Sequence, residues 1–256
     1  MNSLKHFLRI RAPFIFKFVR AAKHFPSRIK RAFIPYRFRM YAEAFHGDKQ
    51  WQELVALFAK LPITSCVETG TYHADTTLYL AKVFPNISVY TVELAGEYYR
   101  ESAWRLRDSK NVALIRDSSP RAITNLVSQN RLGAFSFVFL DAHWYDYWPI
   151  LDELTALAPV PKVIIIIDDF EVPGKEWFQY DVYYKGEKKL KNNLEFIAPA
   201  IGGYKILFPQ YSPQEAGIEG SVLRGYVVLF KGFSDEEWDN VKKIIPERDF
   251  RVFAVK

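Results

Sequence analysis

The chain has 256 residues, 49% hydrophobic and 16% aromatic, which suits one well-buried α/β domain with a small appendage. Its net charge of +6 averages two unlike parts: residues 1–39 hold eleven of the 35 basic side chains and none of the 29 acidic ones, leaving residues 40–256 net acidic. A single cysteine, Cys66, excludes an internal disulfide, no apolar run reaches the ~18 residues of a membrane span, and a reducing, cytoplasmic setting is expected.

Residues 1–40 read as a basic amphipathic arm and residues 41–256 as the folded domain. In the arm, Leu4, Phe7, Leu8, Phe14, Ile15, Phe18 and Ala22 recur at near-helical spacing, interrupted by Pro13, Pro26 and Pro35. Lys17 breaks the best candidate for a secretory core. The arm suits peripheral contact with an anionic membrane, or packing on this domain or on a partner subunit of a homo-oligomer; nucleic acid ranks last.

Residues 40–61 are predicted to form one helix, with Trp51, Leu54, Val55 and Phe58 on one face and Pro62 ending it. Strand and helix then alternate, the mark of a parallel sheet with right-handed crossovers. The strands are Ile63–Glu68, Ser88–Glu93, Val112–Asp117, Phe135–Asp141 and Lys162–Asp168, with helices near 75–84, 96–108, 119–130 and 146–157. An aromatic loop with Trp177, Phe178, Tyr180, Tyr183 and Tyr184 follows, then a basic helix near Glu187–Ile201. Strands at Tyr204–Phe208 and Gly225–Lys231, a helix at Asp235–Ile245 and a short apolar tail complete the chain. The expected architecture is a Rossmann-like, doubly wound, mostly parallel sheet of seven strands with a C-terminal antiparallel hairpin.

The first strand leads through Glu68 into the tight turn Thr69-Gly70-Thr71. In such sheets this turn is where a nucleotide-like ligand sits. Gly70 lets the backbone turn sharply, and Asp75 is placed to cap the following helix. Three glycines would be needed for a dinucleotide fingerprint, and only Gly70 is present. An acidic strand end suits a ligand with a cationic amino-acid end. All five strands end in acid: Glu68, Glu93, Asp117, Asp141 and the pair Asp168-Asp169. Buried carboxylates are costly unless paired, so the full set points to ligands. Glu93 suits a ribose diol. Asp117 and Ser118 suit an adenine edge, although Ser118 or Ser119 ahead of Pro120 also makes a good helix cap.

Residues 63–170 resemble a class I S-adenosylmethionine-dependent methyltransferase. The matching pieces are V-E-T-G-T at 67–71, Y-T-V-E at 90–93, I-R-D-S at 115–118, L-D-A-H-W at 140–144 and I-I-D-D-F at 166–170. The last two resemble the metal-dependent sugar O-methyltransferases and, more loosely, catechol O-methyltransferase. The family's glycine-richer turn is reduced here to Gly70.

The resemblance implies S-adenosylmethionine contacts at Glu68, Gly70, Thr71, Tyr72, Glu93, Asp117 and Ser118. It also implies a divalent ion, Mg²⁺, at Asp141, Asp168 and Asp169. Like charges packed that closely raise each other's pKa unless a cation sits among them, although Asp168 could instead cap a helix or pair with Lys175. His143 stands where those enzymes carry a proposed catalytic base, there an aspartate, and imidazole suits that work near neutral pH. Asp141 and His143 are thus the expected catalytic pair, and His73, in the cofactor turn, is read as structural or as part of the rim. The implied reaction is methylation of a hydroxyl on a sugar or other small molecule, with the aromatics at 144–148 and 177–184 as pocket walls. The competing readings are a non-catalytic protein tethered by its basic arm, and a metal-independent N- or C-methyltransferase.

Overall fold

The five parallel strands form where the apolar runs are nearly continuous; four of them are covered on both faces, and the one at the sheet edge, Val112–Ile115, is half-buried. They are β1 (Ser65–Thr69), β2 (Ser88–Val92), β3 (Val112–Ile115), β4 (Phe135–Leu140) and β5 (Lys162–Ile167). Ile164 to Ile167 are wholly buried, each worth roughly 1.5–3 kcal/mol of burial. The computed structural model describes residues 40, 42–143, 147–185, 188–218 and 223–253. The chain divides after Ala42, and the fold belongs to the unit Glu43–Lys256. The basic arm at 1–39 lies outside the described residues.

Helices α1 (Lys49–Phe58), α2 (Asp75–Val83), α3 (Gly96–Leu106), α4 (Ser119–Ser128) and α5 (Ile150–Leu157) accompany these strands. After β5 come the short β6 (Phe178–Gln179), the hairpin β7 (Val182–Lys185) and β8 (Lys188–Lys191), and one turn of helix, α6 (Leu194–Ile197). The chain closes with β9 (Lys205–Pro209), β10 (Leu223–Arg224), β11 (Val227–Lys231), α7 (Asp235–Ile244) and β12 (Phe250–Phe253). The main sheet runs β12-β9-β11-β5-β4-β1-β2-β3. From β3 to β5 the pairings are parallel; from β5 through β11 and β9 to β12 they are antiparallel.

Four expectations are corrected. The sheet has eight strands, because the apolar tail becomes β12: Phe250 and Phe253 set their rings against Tyr211 and Phe208. The basic helix near 187–201 is a strand followed by a single helical turn. There, Lys188–Lys191 pairs with Val182–Lys185, and Asn193 caps α6 by accepting from the Phe196 N–H. Asp75 does not cap α2. The cap position is Ala74 in a left-handed conformation, and Asp75 pairs with Arg105 instead. Finally, residues 40–61 are not one helix. Phe45, His46 and Gly47 all adopt positive φ, and α1 starts afresh after Asp48. The side chain of Asp48 accepts from the Trp51 N–H, a standard N-cap.

Candidate active site

Strand register sets the site. Thr69 aligns with Val92 and Leu140, Leu140 with Ile167, and Val92 with Ile115. Gly70, Glu93, Asp141 and Asp168 are each the next residue, so they stand at one level along the carboxyl edge of the sheet. Their backbone N–H groups continue the ladder, donating to Val92, Ile115, Thr69 and Leu140 respectively. Glu68 lies two residues deeper, and Asp117 one residue further out.

Depth decides how each acid is satisfied. Glu68 is buried, and its Oε2 accepts from the hydroxyls of Thr77 and Thr91 (2.6 Å to Thr91). The sequence reads it as an acidic strand end facing a ligand; in the structure it lies buried against those two hydroxyls. Burial pushes its carboxyl up to about 7, against the pull of those hydroxyls. Glu93 accepts from two backbone N–H groups, Tyr72 at 2.9 Å and Ala95 at 2.7 Å, and so ties the β1 turn to the loop after β2. Thr71 and Thr91 share a hydroxyl hydrogen bond of 2.6 Å. Tyr72 is half-exposed at positive φ, with its ring against His73 and Tyr98. His73 pairs with Glu101 at 2.6 Å, a structural role. Asp117 faces Arg121, which donates to both oxygens at 2.7 and 2.8 Å and holds the carboxyl below its ordinary range. Ser118 occupies the N-cap of α4 without a capping side-chain bond; its N–H donates to Asp117.

Gly70 is where the turn meets the rest of the site. Its φ is +85°, and a Cβ built there would lie 2.6 Å from the carbonyl oxygen of Asp141. The turn after β1 and the loop after β4 are therefore in backbone contact, as befits the point where the chain order reverses across the sheet.

The other half of the site is a cleft lined by Asp141, His143, Trp148, Asp168, Asp169 and Asn192. Oxygens of Asp141 and Asp169 and a ring nitrogen of His143 lie within 4.8 Å of one another, as do atoms of His46, Asp168 and Asp169. Burial, then the charges of Asp168 and Asp169, push the Asp141 carboxyl well up. Burial and Asp168 likewise push Asp169 up to about 7. Burial also penalises Asp168, but the charge and hydrogen bond of His46, together with hydrogen bonds from the Asp169 N–H and the Asp141 side chain, outweigh it and hold that carboxyl low. Two basic side chains lie against the cluster. Arg224 reaches Asp169 at 2.9 Å and Asp181 at 3.8 Å, and His46 Nε2 sits 2.8 Å from Asp168. His143, more than half exposed, stands 3.8 Å from Asp141 through Nδ1. Asn192 is buried and donates to the carbonyls of Asp168 and Asp169, while its Oδ1 has no hydrogen-bond partner among the described residues.

Of the expected aromatic walls, Trp148 lines the cleft and meets the rings of Tyr183 and Phe196. Phe178 is core, and Trp177 donates its indole N–H to the Tyr211 carbonyl. Residues 144–146 lie outside the described residues. Sequence reasoning misses His46, Asn192 and Arg224, which come from segments far from the strand ends. Only the Gly47-Asp48 pair, a turn residue before a helix cap, signals that the chain breaks beside His46.

The fold recurs in solved structures. An O-methyltransferase from Bacillus cereus in complex with SAH superposes with a TM-score of 0.50 at 13% identity, over 71% of this chain and 79% of that one. The fold is that of a class I methyltransferase. The O-methyltransferase TomG from Streptomyces achromogenes, involved in tomaymycin synthesis and in complex with SAM, reaches 0.48 at 16% identity, over 72% and 79%. A putative caffeoyl-CoA O-methyltransferase from Staphylococcus aureus reaches 0.49 at 13% identity, over 82% and 98%. No protein-family profile and no curated protein matches the sequence. No helix among the described residues is long and apolar enough to cross a membrane.

Proposed function

We propose that the protein is an S-adenosylmethionine-dependent O-methyltransferase that acts, with a divalent cation, on a hydroxyl of a sugar or other small molecule. The observation that carries this reading is the convergence of Asp141, Asp168 and Asp169 against the β1 turn, through the contact of Gly70 with Asp141. The residues fit a cation. Three acids share the cleft, and Asn192, whose Oδ1 is unpartnered among the described residues, adds a neutral oxygen to its lining. The carboxylates suit a hard ion such as Mg²⁺. A cation held there would lower the pKa of an acceptor hydroxyl.

S-adenosylmethionine, which supplies the methyl group, would be held by Glu68, Gly70, Thr71, Tyr72, Glu93, Asp117 and Ser118. Each Glu93 oxygen is engaged by one backbone N–H and keeps a lone pair free for a ribose diol. Glu68 acts from below, by fixing Thr91 and Thr77. In the acceptor half, Trp148 offers a face to a sugar ring or another semi-apolar acceptor. His143 receives the hydroxyl proton at Nε2, while Nδ1 faces Asp141 and orients the ring. Holding the two reactants in line supplies much of the rate. Residues 1–39 are proposed as the peripheral membrane or subunit contact, tested by liposome and oligomer assays on a chain lacking them.

Calorimetric titration with S-adenosylmethionine is the first test, followed by transfer of a labelled methyl group to a panel of catechols and sugars. Binding is expected for the intact protein and is expected to be lost in Glu93→Ala. Transfer is expected to stop with EDTA. No binding by the intact protein would sink the enzyme reading in favour of an interaction role. Transfer that survives both EDTA and Asp168→Ala would leave a metal-independent methyltransferase.

A further inference from the structure

His46 reaches the acidic cleft by a strained route. It sits between Phe45 and Gly47 in a run of three left-handed residues, with φ of 50°, 58° and 77°. For residues with a Cβ this conformation costs about 1–3 kcal/mol each and persists only where the surroundings enforce it. Here they do. Phe45 is buried, its ring 5.1 Å from those of Trp51 and Phe139 and 5.6 Å from that of Tyr79. On the other side, the Asp48 N–H donates to the Phe45 carbonyl, and Tyr211 donates to the Asp48 carboxylate at 2.7 Å. Trp51 stacks on Tyr226 at 3.9 Å. The ring carried by this clamped bend is the one that meets Asp168.

We infer that His46 is a nitrogen ligand, completing with Asp168 and Asp169 a mixed nitrogen–oxygen site at the edge of the cleft that selects a first-row transition ion such as Mn²⁺, Co²⁺ or Zn²⁺ over Mg²⁺. This inference rests on the divalent-cation reading above and narrows it. Octahedral ligands ~2.1 Å from a metal stand roughly 3 Å apart when adjacent and 4.2 Å when opposite. His46 Nε2 and Asp168 Oδ2, 2.8 Å apart, match the adjacent spacing, and an Asp169 oxygen lies within 4.8 Å of both. An imidazole donor favours transition ions, whereas Mg²⁺ prefers oxygen alone. His46 comes from the bend before α1, far in sequence from the strand ends, so the nitrogen is an addition to the carboxylate set.

The test is metal binding to the full chain, without turnover. Mn²⁺, Zn²⁺ and Mg²⁺ are titrated separately by calorimetry into wild type, His46→Ala, His46→Asn and Asp168→Asn. Asparagine tolerates left-handed backbone, so His46→Asn guards against a folding defect. Pulsed electron paramagnetic resonance of bound Mn²⁺ reads nitrogen coordination directly. Wild type is expected to bind Mn²⁺ and Zn²⁺ at least about tenfold tighter than Mg²⁺. Both His46 variants are expected to lose that preference. The ¹⁴N coupling is expected to vanish in them and to persist in His143→Ala. If His46→Ala binds every ion as well as wild type or better, the ring is a counter-charge that closes the site, and the inference is overturned. Binding abolished by Asp168→Asn yet unchanged in both His46 variants overturns the inference alone. No binding of any ion to wild type overturns it together with the reading it rests on.

Discussion

The two halves of the cleft handle negative charge in opposite ways. On the β1–β3 side each acid is matched from within: Glu68 by two threonine hydroxyls, Glu93 by two backbone N–H groups, Asp117 by Arg121. On the β4–β5 side, Asp141, Asp168 and Asp169 face one another with a half-exposed His46 and Arg224 as their close basic partners. A carboxylate supplied with donors holds its loop in place without help. Carboxylates that outnumber their donors store repulsion, which a bound cation would relieve. The first half is therefore shaped before ligand arrives, and the second is built to receive charge.

The comparison breaks most severely at Gly70, where the halves touch. Gly70→Val demands left-handed backbone from a β-branched residue and drives a Cβ into the Asp141 carbonyl. Denaturant unfolding is expected to show a loss of about 3 kcal/mol or more. A stable variant that still binds S-adenosylmethionine would separate the two halves. Next comes Asp168→Asn, which removes one charge from the unbalanced half. Divalent-ion affinity is expected to fall by more than about 100-fold, while S-adenosylmethionine affinity changes less than about twofold. Equal losses of both in calorimetry would show that the halves are one site.

Smaller effects sharpen the contrast. Glu68 and the wholly buried Glu153 both have carboxyls pushed by burial from 4.5 up to about 7. Between pH 4.5 and 7 the unfolded chain gives up these protons first. Stability contributed by the neutral carboxyls is therefore complete below 4.5, declines as pH rises and levels off above about 7. Glu68→Gln is expected to flatten that decline by about 2 kcal/mol between pH 5 and 8, measured by urea unfolding. An unchanged slope would mean that Glu68 stays charged. The smallest effect is at the rim. Arg121 is exposed, so Arg121→Ala is expected to leave Tm unaltered while raising the Asp117 pKa toward its ordinary range, read by carboxyl chemical shifts.

The sheet is legible in the sequence because periodicity reports burial. The runs at Phe135–Leu140 and Lys162–Ile167 can only be strands covered on both sides. The strand-end acids are equally plain, since charge following an apolar run marks the sheet edge. The segment after β5 is not legible in this way. Lys188, Lys189 and Lys191 carry no helical stripe, and it is pairing with Val182–Lys185 that makes them strand. Asp75 misleads because a cap role is inferred from neighbours in sequence, whereas its partner, Arg105, comes from α3.

By itself, then, the sequence determined the order of strands and helices from β1 to β5, the single-glycine turn, and the placement of acid at the sheet's carboxyl edge, all of which depend on residues close together in the chain. Tertiary structure alone decided which acids are satisfied and which are left in excess. It also decided that a strained bend before α1 delivers His46 to Asp168, and that Asn192 and Arg224 arrive from after β8 and from β10. Those outcomes depend on register, burial and donors from distant segments, and no local pattern of residue types encodes them.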